Sequence, residues 1–176
     1  MSWKVLKSQI IHKSKWINLY KQKIRIKKNL IINDYYKIVW KDAVIILPII
    51  NKKILVLRGY KKSLGYTFSF PSGYIEKKEK PMSAAYRELE EETNFKSKSK
   101  LKKVGSYIVS GNYFCGKVHI FLAKNLKPVL ANNPDFENSK IFFFNKKKIT
   151  DLIKNNQIKS QSSCHAFMLA NLKKLI

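Results

Sequence analysis

The longest apolar run in the chain, residues 43–50, is only eight residues long and contains Pro48. It is rich in β-branched residues, and a second short apolar run at 54–57 follows after Asn51-Lys52-Lys53. Eight residues can cross a buried sheet, whereas a membrane-spanning helix needs about 20 apolar residues. The pattern therefore predicts a buried β-hairpin and excludes a membrane span.

The rest of the chain continues as many strands and few helices. Loose alternation at 3–29 predicts one or two strands, and 31–40 predicts another, with Asn33-Asp34 as a turn. Further strands are predicted at 68–70, 101–109, 117–123 and 141–144, and helices at 81–93, 149–155 and 164–175. This order indicates an α+β fold or a three-layer sandwich around a mixed sheet.

The charge of the chain is strongly positive. It has 36 Lys and Arg against 11 Asp and Glu, a net charge of +25, and its only arginines are Arg25, Arg58 and Arg87. The lysines extend from Lys4 to Lys174, and lysine is a poorer bidentate ligand of phosphate than arginine. The pattern indicates that the lysine excess reflects drift in amino-acid composition and a solvated surface. Attraction to polyanions such as nucleic acid is the less favoured alternative.

Cysteine usage and the N-terminal residues bear on the compartment. Cys115 and Cys164 lie far apart, and no Cys or His stands at metal-ligand spacing, which excludes a zinc finger and a disulfide scaffold. Residues 1–10 mix Lys, Ser and Gln, unlike the apolar region of a signal peptide. We expect a soluble cytoplasmic protein without a membrane partner.

The acidic residues are concentrated in one segment. Six of the 11 lie between Glu76 and Glu92, and the stretch 95–134 has none. Much of this segment forms the predicted helix at 81–93, with Pro81 suited to its first turn and Asn94 to a left-handed C-terminal cap. Because the chain has so few acidic residues, the concentration of half of them in one segment indicates a functional site there.

Three of these carboxylates fall on one helical face. Glu88, Glu91 and Glu92 stand at i, i+3 and i+4, so their side chains lie within about 5–6 Å of one another and repel. Arg87 can pair with Glu91, and a hard divalent cation would relieve the remaining repulsion. The main-chain carbonyl of Ser72 could face the same ions. The alternative is a solvated Glu-rich helix face.

The full spacing from Gly73 onward resembles the Nudix box, the loop–helix–loop signature of hydrolases that act on nucleoside diphosphates linked to another moiety. The matching positions are Gly73, Glu79, Arg87, Glu88, Leu89, Glu91 and Glu92, and Phe95 fills the final apolar place. Asn94 replaces the second glycine of the family, and asparagine tolerates the left-handed conformation needed there.

Weaker similarity over most of the chain points to the ADP-ribose and nucleotide-sugar pyrophosphatases. It is carried by residues 57–61, 70–73 and 119–123, the strand-rich N-terminus and the closing segment 158–172. The resemblance implies an α/β/α sandwich, with an N-terminal extension at 1–40 that helps to form a homodimer and a Nudix hydrolase domain at 41–176.

The resemblance also implies a mechanism, Mg²⁺-dependent hydrolysis of a pyrophosphate bond, with Mn²⁺ as a substitute. The products would be a nucleoside monophosphate and a sugar phosphate. Glu88 and Glu92 would be the principal metal ligands, with the Ser72 carbonyl, and Glu91 a third ligand or the base. Glu79 would make an outer-sphere contact, and Arg87 would orient the carboxylates by salt bridges.

For the substrate pocket, the expected contacts are Arg58 and Lys61 to phosphate, Gly73 beside the metals, and Tyr113 and Phe114 to the base. The alternatives are surface charge at the end of a strand and packing of the two aromatic residues into a small core. His119 is expected to be a structural histidine within a strand.

Two positions depart from this branch. The loop at 110–116 lacks the carboxylate that commonly serves as base, so Glu79, Glu91, Asp135 or Glu137 must take that role, and Ser69 stands where the branch has glutamate. Two alternatives therefore accompany an ADP-ribose substrate: hydrolysis of dinucleoside polyphosphates or capped RNA, and a catalytically inactive module that binds nucleotides or nucleic acid.

Overall fold

Thirteen strands and three helices make up the part of the chain that the structure, a computed structural model, describes, namely residues 3–111, 114–130 and 139–176. Of Phe114 and Cys115 it describes the backbone alone. The strands are β1 (Lys4–Lys13), β2 (Ile17–Lys27), β3 (Leu30–Trp40), β4 (Ala43–Ile50), β5 (Lys53–Lys61), β6 (Gly65–Ser69), β7 (Ser72–Tyr74), β8 (Phe95–Ser97), β9 (Lys102–Ile108), β10 (Phe114–Cys115), β11 (Lys117–Ala123), β12 (Leu126–Pro128) and β13 (Lys140–Phe144). The helices are α1 (Pro81–Thr93), α2 (Lys146–Lys154) and α3 (Gln161–Leu172).

The predicted hairpin is formed by β4 and β5. Asn51 and Lys52 both adopt left-handed backbone conformations, with φ of 49° and 60°, and Ile50 pairs with Lys53 on either side of them. Two consecutive left-handed residues form the two-residue turn whose twist matches that of antiparallel strands. The polar triplet at 51–53 therefore closes the hairpin as the sequence predicts.

The hairpin lies in a seven-stranded mixed sheet of order β13-β5-β4-β11-β9, with β6 paired to β5 and β7 to β4. β4 and β11 are parallel, β5 and β7 run antiparallel to β4, and β13 runs antiparallel to β5. Ile45 and Leu47 pack in one apolar cluster with α2 and α3, whereas Val44 and Ile46 pack in a second cluster with α1. Because alternate residues of β4 face opposite helical layers, this sheet is buried on both sides, and the α+β sandwich is confirmed.

The chain divides into two compact units. The first comprises Met1–Asp42 and Tyr107–Lys117, and its sheet has the order β1-β2-β3-β10. The second comprises Ala43–Ser106 and Val118–Ile176 and contains the sandwich. The dimerisation role predicted for the N-terminal strands stays a prediction. None of the described helices is long and apolar enough to cross a membrane.

Some local predictions are wrong. Asn33-Asp34 is not a turn: β3 is continuous, and the register steps from Gln22↔Tyr35 to Ile24↔Ile32, so β3 carries one extra residue as a bulge at this point. The helix predicted at 164–175 is α3 at Gln161–Leu172, because Lys174 turns left-handed (φ 52°) and ends it. The strands β8 and β12, which pair with each other, are not predicted from the sequence, because three residues are too few to show an alternating pattern.

Candidate functional site

The acidic helix is placed against the central strand by the segment that precedes it. The Ile46 N–H donates to the Pro71 carbonyl (2.9 Å), and β7 then pairs with β4, so that Gly73 lies opposite Val44. The helix begins with Pro81 in its first turn. It ends at Asn94, whose backbone is left-handed (φ 55°, ψ 30°) and whose N–H donates to the Glu90 carbonyl. The predicted cap is confirmed.

Gly73 provides the space that the Glu88 carboxylate occupies. A Cβ atom at position 73 would overlap the Glu88 carboxyl carbon and both of its oxygens. The Glu88 side chain is only 11% exposed and lies against the backbone of β7. Any larger residue at position 73 would therefore displace the Glu88 carboxylate that packs there, which is a reason for glycine that the motif alone does not disclose.

Arg87 connects the helix to the preceding loop through all five of its N–H donors. Its Nε and Nη2 donate to the two Glu79 oxygens, each at 3.0 Å, in the bidentate geometry of a guanidinium on a carboxylate. Nη1 donates to Glu88 Oε1 (2.7 Å) and Glu91 Oε2 (3.0 Å), and Nη2 also donates to the Tyr74 carbonyl (3.0 Å). All five N–H donors of Arg87 are thus engaged by groups of the protein itself.

Glu92 and Glu91 complete the acidic face. Glu92 Oε2 accepts the N–H of Ser72 at 2.7 Å, which ties the helix to the start of β7. Glu91 is the most exposed member of the Arg87 ion-pair network, with 42% of its side chain accessible, and it accepts from Arg87 as the sequence predicts. The glutamates thus range from buried to exposed across a single helix face.

The pKa values of the carboxyl groups follow these surroundings. The Arg87 hydrogen bonds hold the pKa of Glu79 below its ordinary value, against a smaller opposing effect of burial. Burial, with a smaller contribution from the charges of Glu91 and Glu79, raises the pKa of Glu88, although the Arg87 hydrogen bond and charge act in the opposite direction. The pKa of Arg87 is raised, chiefly by its hydrogen bond to Glu79. Glu88 is consequently a carboxylate that lacks sufficient positive charge around it.

The residues fit a divalent cation by their chemistry. Three carboxylates, those of Glu79, Glu88 and Glu91, surround one guanidinium, Glu92 lies one turn along the helix from Glu88, and oxygen is the ligand that Mg²⁺ prefers. In the described residues, no three Asp, Glu, His or Cys side chains already converge on one point, since Arg87 holds Glu79, Glu88 and Glu91. Ligation by three glutamates would require rotation of these long side chains.

The other predicted contacts lie elsewhere. Arg58 stacks over Tyr66 (5.7 Å) and Phe68 (5.8 Å) on the β5–β6 hairpin, and Lys61 ends β5 opposite Gly65. Tyr113, Asp135 and Glu137 lie outside the described residues, as does the Phe114 side chain.

His119 and Tyr86 are structural by their contacts. His119 lies buried in β11 and its Nδ1 bonds Ser106 Oγ at 2.8 Å, in accord with a structural histidine. Tyr86 was not expected: its hydroxyl donates to the Ser99 carbonyl (3.3 Å) and accepts the Leu101 N–H (3.1 Å). A tyrosine next to Arg87 on a helix gives no signal of such a distant partner.

Comparison with known proteins gives a family for this arrangement. The profile of the NUDIX domain matches residues 39–164, which include the hairpin, Gly73 and the whole acidic helix. The chain belongs to the Nudix family. It is a Nudix hydrolase, and enzymes of this family generally use a divalent metal ion.

The curated relatives indicate a branch of the Nudix hydrolases. The chain is 29% identical over 139 residues to an ADP-ribose pyrophosphatase of Bacillus subtilis (strain 168), covering 76% of this chain and 74% of the relative. It is 38% identical over 61 residues to an ADP-sugar pyrophosphatase of Mus musculus, over 31% of this chain and 28% of that protein.

A solved structure described as an ADP compounds hydrolase superposes on this chain with a TM-score of 0.86. The superposition covers 97% of this chain and 93% of that one, at 21% sequence identity. At that identity the match shows the fold, which is that of the α+β sandwich described above.

Proposed function

We propose that this Nudix hydrolase cleaves the pyrophosphate bond of ADP-ribose or a related ADP-sugar with Mg²⁺, giving AMP and a sugar phosphate. The observation that carries the proposal is the buried Glu88 carboxylate seated over Gly73, on a helix face that also carries Glu91 and Glu92 and shares Arg87 with Glu79. The names of the curated relatives support the choice of substrate.

In this proposal Glu88 and Glu92 would hold the metal, together with the Ser72 carbonyl. A bound divalent ion would draw negative charge away from the pyrophosphate oxygens. The oxygen of a water molecule bonds to one phosphorus, and the bond from that phosphorus to the bridging oxygen breaks. The bridging oxygen leaves with the second phosphate, and the water proton passes to a carboxylate.

Glu91 is the better candidate for that base. Its carboxylate is the most exposed of the Arg87 network and accepts only one of the five Arg87 hydrogen bonds. Glu79 accepts two Arg87 N–H groups and also the Glu76 N–H (2.9 Å), which lowers its pKa and its tendency to take a proton. We assign Glu79 to positioning, through Arg87.

We also propose that the N-terminal strands form a homodimer interface. Every residue of β1, the edge strand of its sheet, is exposed, including Val5, Ile10 and Ile11. An edge strand with exposed apolar side chains is a typical surface for association with a second chain.

The dimer is tested by light scattering after size-exclusion chromatography. The wild type should give the mass of a dimer, and the double variant Val5→Lys with Ile10→Lys should give the mass of a monomer. A wild-type monomer at micromolar concentration would refute the interface.

The test of function is release of AMP from ADP-ribose with and without Mg²⁺. It is run beside nucleotide sugars, dinucleoside polyphosphates and capped RNA. ADP-ribose or an ADP-sugar should be the best substrate, and activity should disappear with EDTA and return with Mg²⁺ or Mn²⁺. Turnover of polyphosphates or caps alone would refute the proposed substrate. Tight nucleotide binding without turnover of any compound would refute the proposed reaction.

A further inference from the structure

A cavity of about 410 Å³ lies in the second unit, separate from the acidic helix face. Four lysines line it, and they come from three distant segments of the chain: Lys100 and Lys102 at the start of β9, Lys124 after β11 and Lys174 after α3. Leu122 and Leu175 add apolar lining, and Ser99 and Asn125 add polar lining. The volume is that of a small-molecule site.

The lining carries positive charge without a compensating acid. None of the eight described residues that line the cavity is Asp or Glu, and the stretch 95–134, which supplies six of them, contains no acid at all. The four ammonium groups repel one another, and a bound anion would replace this repulsion with attraction. All four lysines are exposed to solvent, and their charges add at the mouth of the same cavity.

Hydrogen bonds fix the walls of the cavity in place. Ser97 Oγ donates to the Lys124 carbonyl (2.7 Å), and the Lys98 N–H donates to the Asn125 carbonyl (3.0 Å), so two of the three lysine-bearing segments are tied together. On the third, Lys173 Nζ donates to the Val104 carbonyl at 2.6 Å, which holds the end of α3 against β9. The lysines are therefore presented by a preformed frame.

Lys174 occupies a backbone position that favours glycine. It is left-handed (φ 52°), with its N–H bonded to the Asn171 carbonyl and the Leu175 N–H bonded to the Ala170 carbonyl, each at 2.9 Å. This pair of bonds is the helix-ending motif in which glycine is the usual left-handed residue. A lysine there is less stable than glycine, yet it places a fourth cation at the cavity.

We propose that this cavity is a binding site for a compact, multiply charged phosphate anion of the oligophosphate class. Ammonium groups bind phosphate as point charges. Several of them around one cavity favour a ligand with adjacent phosphate groups over a ligand with a single carboxylate. The site shares no residue with Glu79, Arg87, Glu88, Glu91 and Glu92, so the anion binds without the metal.

The experiment is isothermal titration of the full chain with inorganic tripolyphosphate in EDTA, which removes the divalent ions that the acidic helix would need. The test variant is Lys100→Gln with Lys124→Gln. The matched control is Lys53→Gln with Lys154→Gln, which removes the same charge from exposed positions outside the cavity. Wild type and control should bind one anion per chain, and the test variant should bind about a hundredfold more weakly. Equal weakening in both double variants, or a wild-type titration that does not saturate, would overturn the site.

Lys174→Gly provides a second test, in which a loss of affinity cannot be caused by loss of stability. Glycine suits the left-handed position, so the melting temperature should rise while the affinity for tripolyphosphate falls about tenfold. Unchanged affinity in this variant would remove Lys174 from the site and contradict the proposal.

Discussion

Substitution of Gly73 by alanine should separate activity from stability. The added methyl group would occupy the position of the Glu88 carboxylate, which is the far end of a flexible side chain and can move aside. Its movement breaks the 2.7 Å bond from Arg87 Nη1 but also returns a poorly solvated carboxylate to water. Because these two effects oppose each other, we expect the free energy of unfolding to change by only about 1 kcal/mol.

The catalytic effect of Gly73→Ala should be much larger. A Glu88 carboxylate displaced from Gly73 would be poorly placed beside Glu92 as a metal ligand, and we expect kcat/KM for ADP-ribose to fall about 100-fold, equivalent to about 2.7 kcal/mol. The assay is AMP release at saturating Mg²⁺, with thermal unfolding measured on the same samples. Gly111→Ala is the control for an added methyl group, since no atom of the described residues beyond its chain neighbours lies within 4 Å of that Cβ position. Activity of Gly73→Ala within about threefold of wild type, with the fold intact, would refute the role given to the Glu88 position.

Four further perturbations follow from the same contacts. Arg87→Lys cannot reproduce the five-donor network, so kcat should fall about tenfold or more with KM little changed; an effect on KM alone would place Arg87 on the substrate instead. Asn94→Gly should raise the free energy of unfolding by about 0.5–1 kcal/mol in chemical denaturation, because glycine adopts the left-handed cap more readily; destabilisation would contradict this. Lys23→Glu should stabilise the N-terminal sheet by about 0.5 kcal/mol at low salt, because Lys23 lies directly opposite Lys7, and the gain should shrink in high salt. Glu79 has a lowered pKa in the folded state, so its contribution to stability is present above its unfolded pKa and is lost as pH falls through the folded value; the stability difference between wild type and Glu79→Gln should therefore vanish in acid, and a difference that grows in acid would contradict the assignment.

Much of the acidic helix could be predicted from local sequence. Pro81 and Asn94 fix the ends of α1 by backbone preferences that do not depend on distant residues, and the i, i+3, i+4 spacing places Glu88, Glu91 and Glu92 on one face. The hairpin of β4 and β5 follows from equally local signals. These features are confirmed because their energetics lie within a few residues.

The parts that were missed depend on contacts distant in sequence. The reason for glycine at 73 is the carboxylate of Glu88, and the reason for Tyr86 is the backbone at Ser99 and Leu101. Asn33-Asp34 has the composition of a turn, but ladder pairing with β2 keeps it in a strand as a bulge. Pairing between strands overrides the local turn preference at Asn33-Asp34, whereas Gly73 and Tyr86 make contacts that local sequence does not encode.

The central claim is that the carboxylates of α1 support metal-dependent hydrolysis. Its most direct test is kcat/KM for ADP-ribose as a function of Mg²⁺ concentration in wild type, Glu92→Gln and Glu90→Gln. Glu92 is bonded to the Ser72 N–H within the acidic face, whereas Glu90 on the same helix pairs with Lys96 at 3.2 Å. We expect Glu92→Gln to lose nearly all Mg²⁺-dependent turnover and Glu90→Gln to retain it. Equal activity in the two variants, or turnover that does not depend on a divalent ion, would contradict the account.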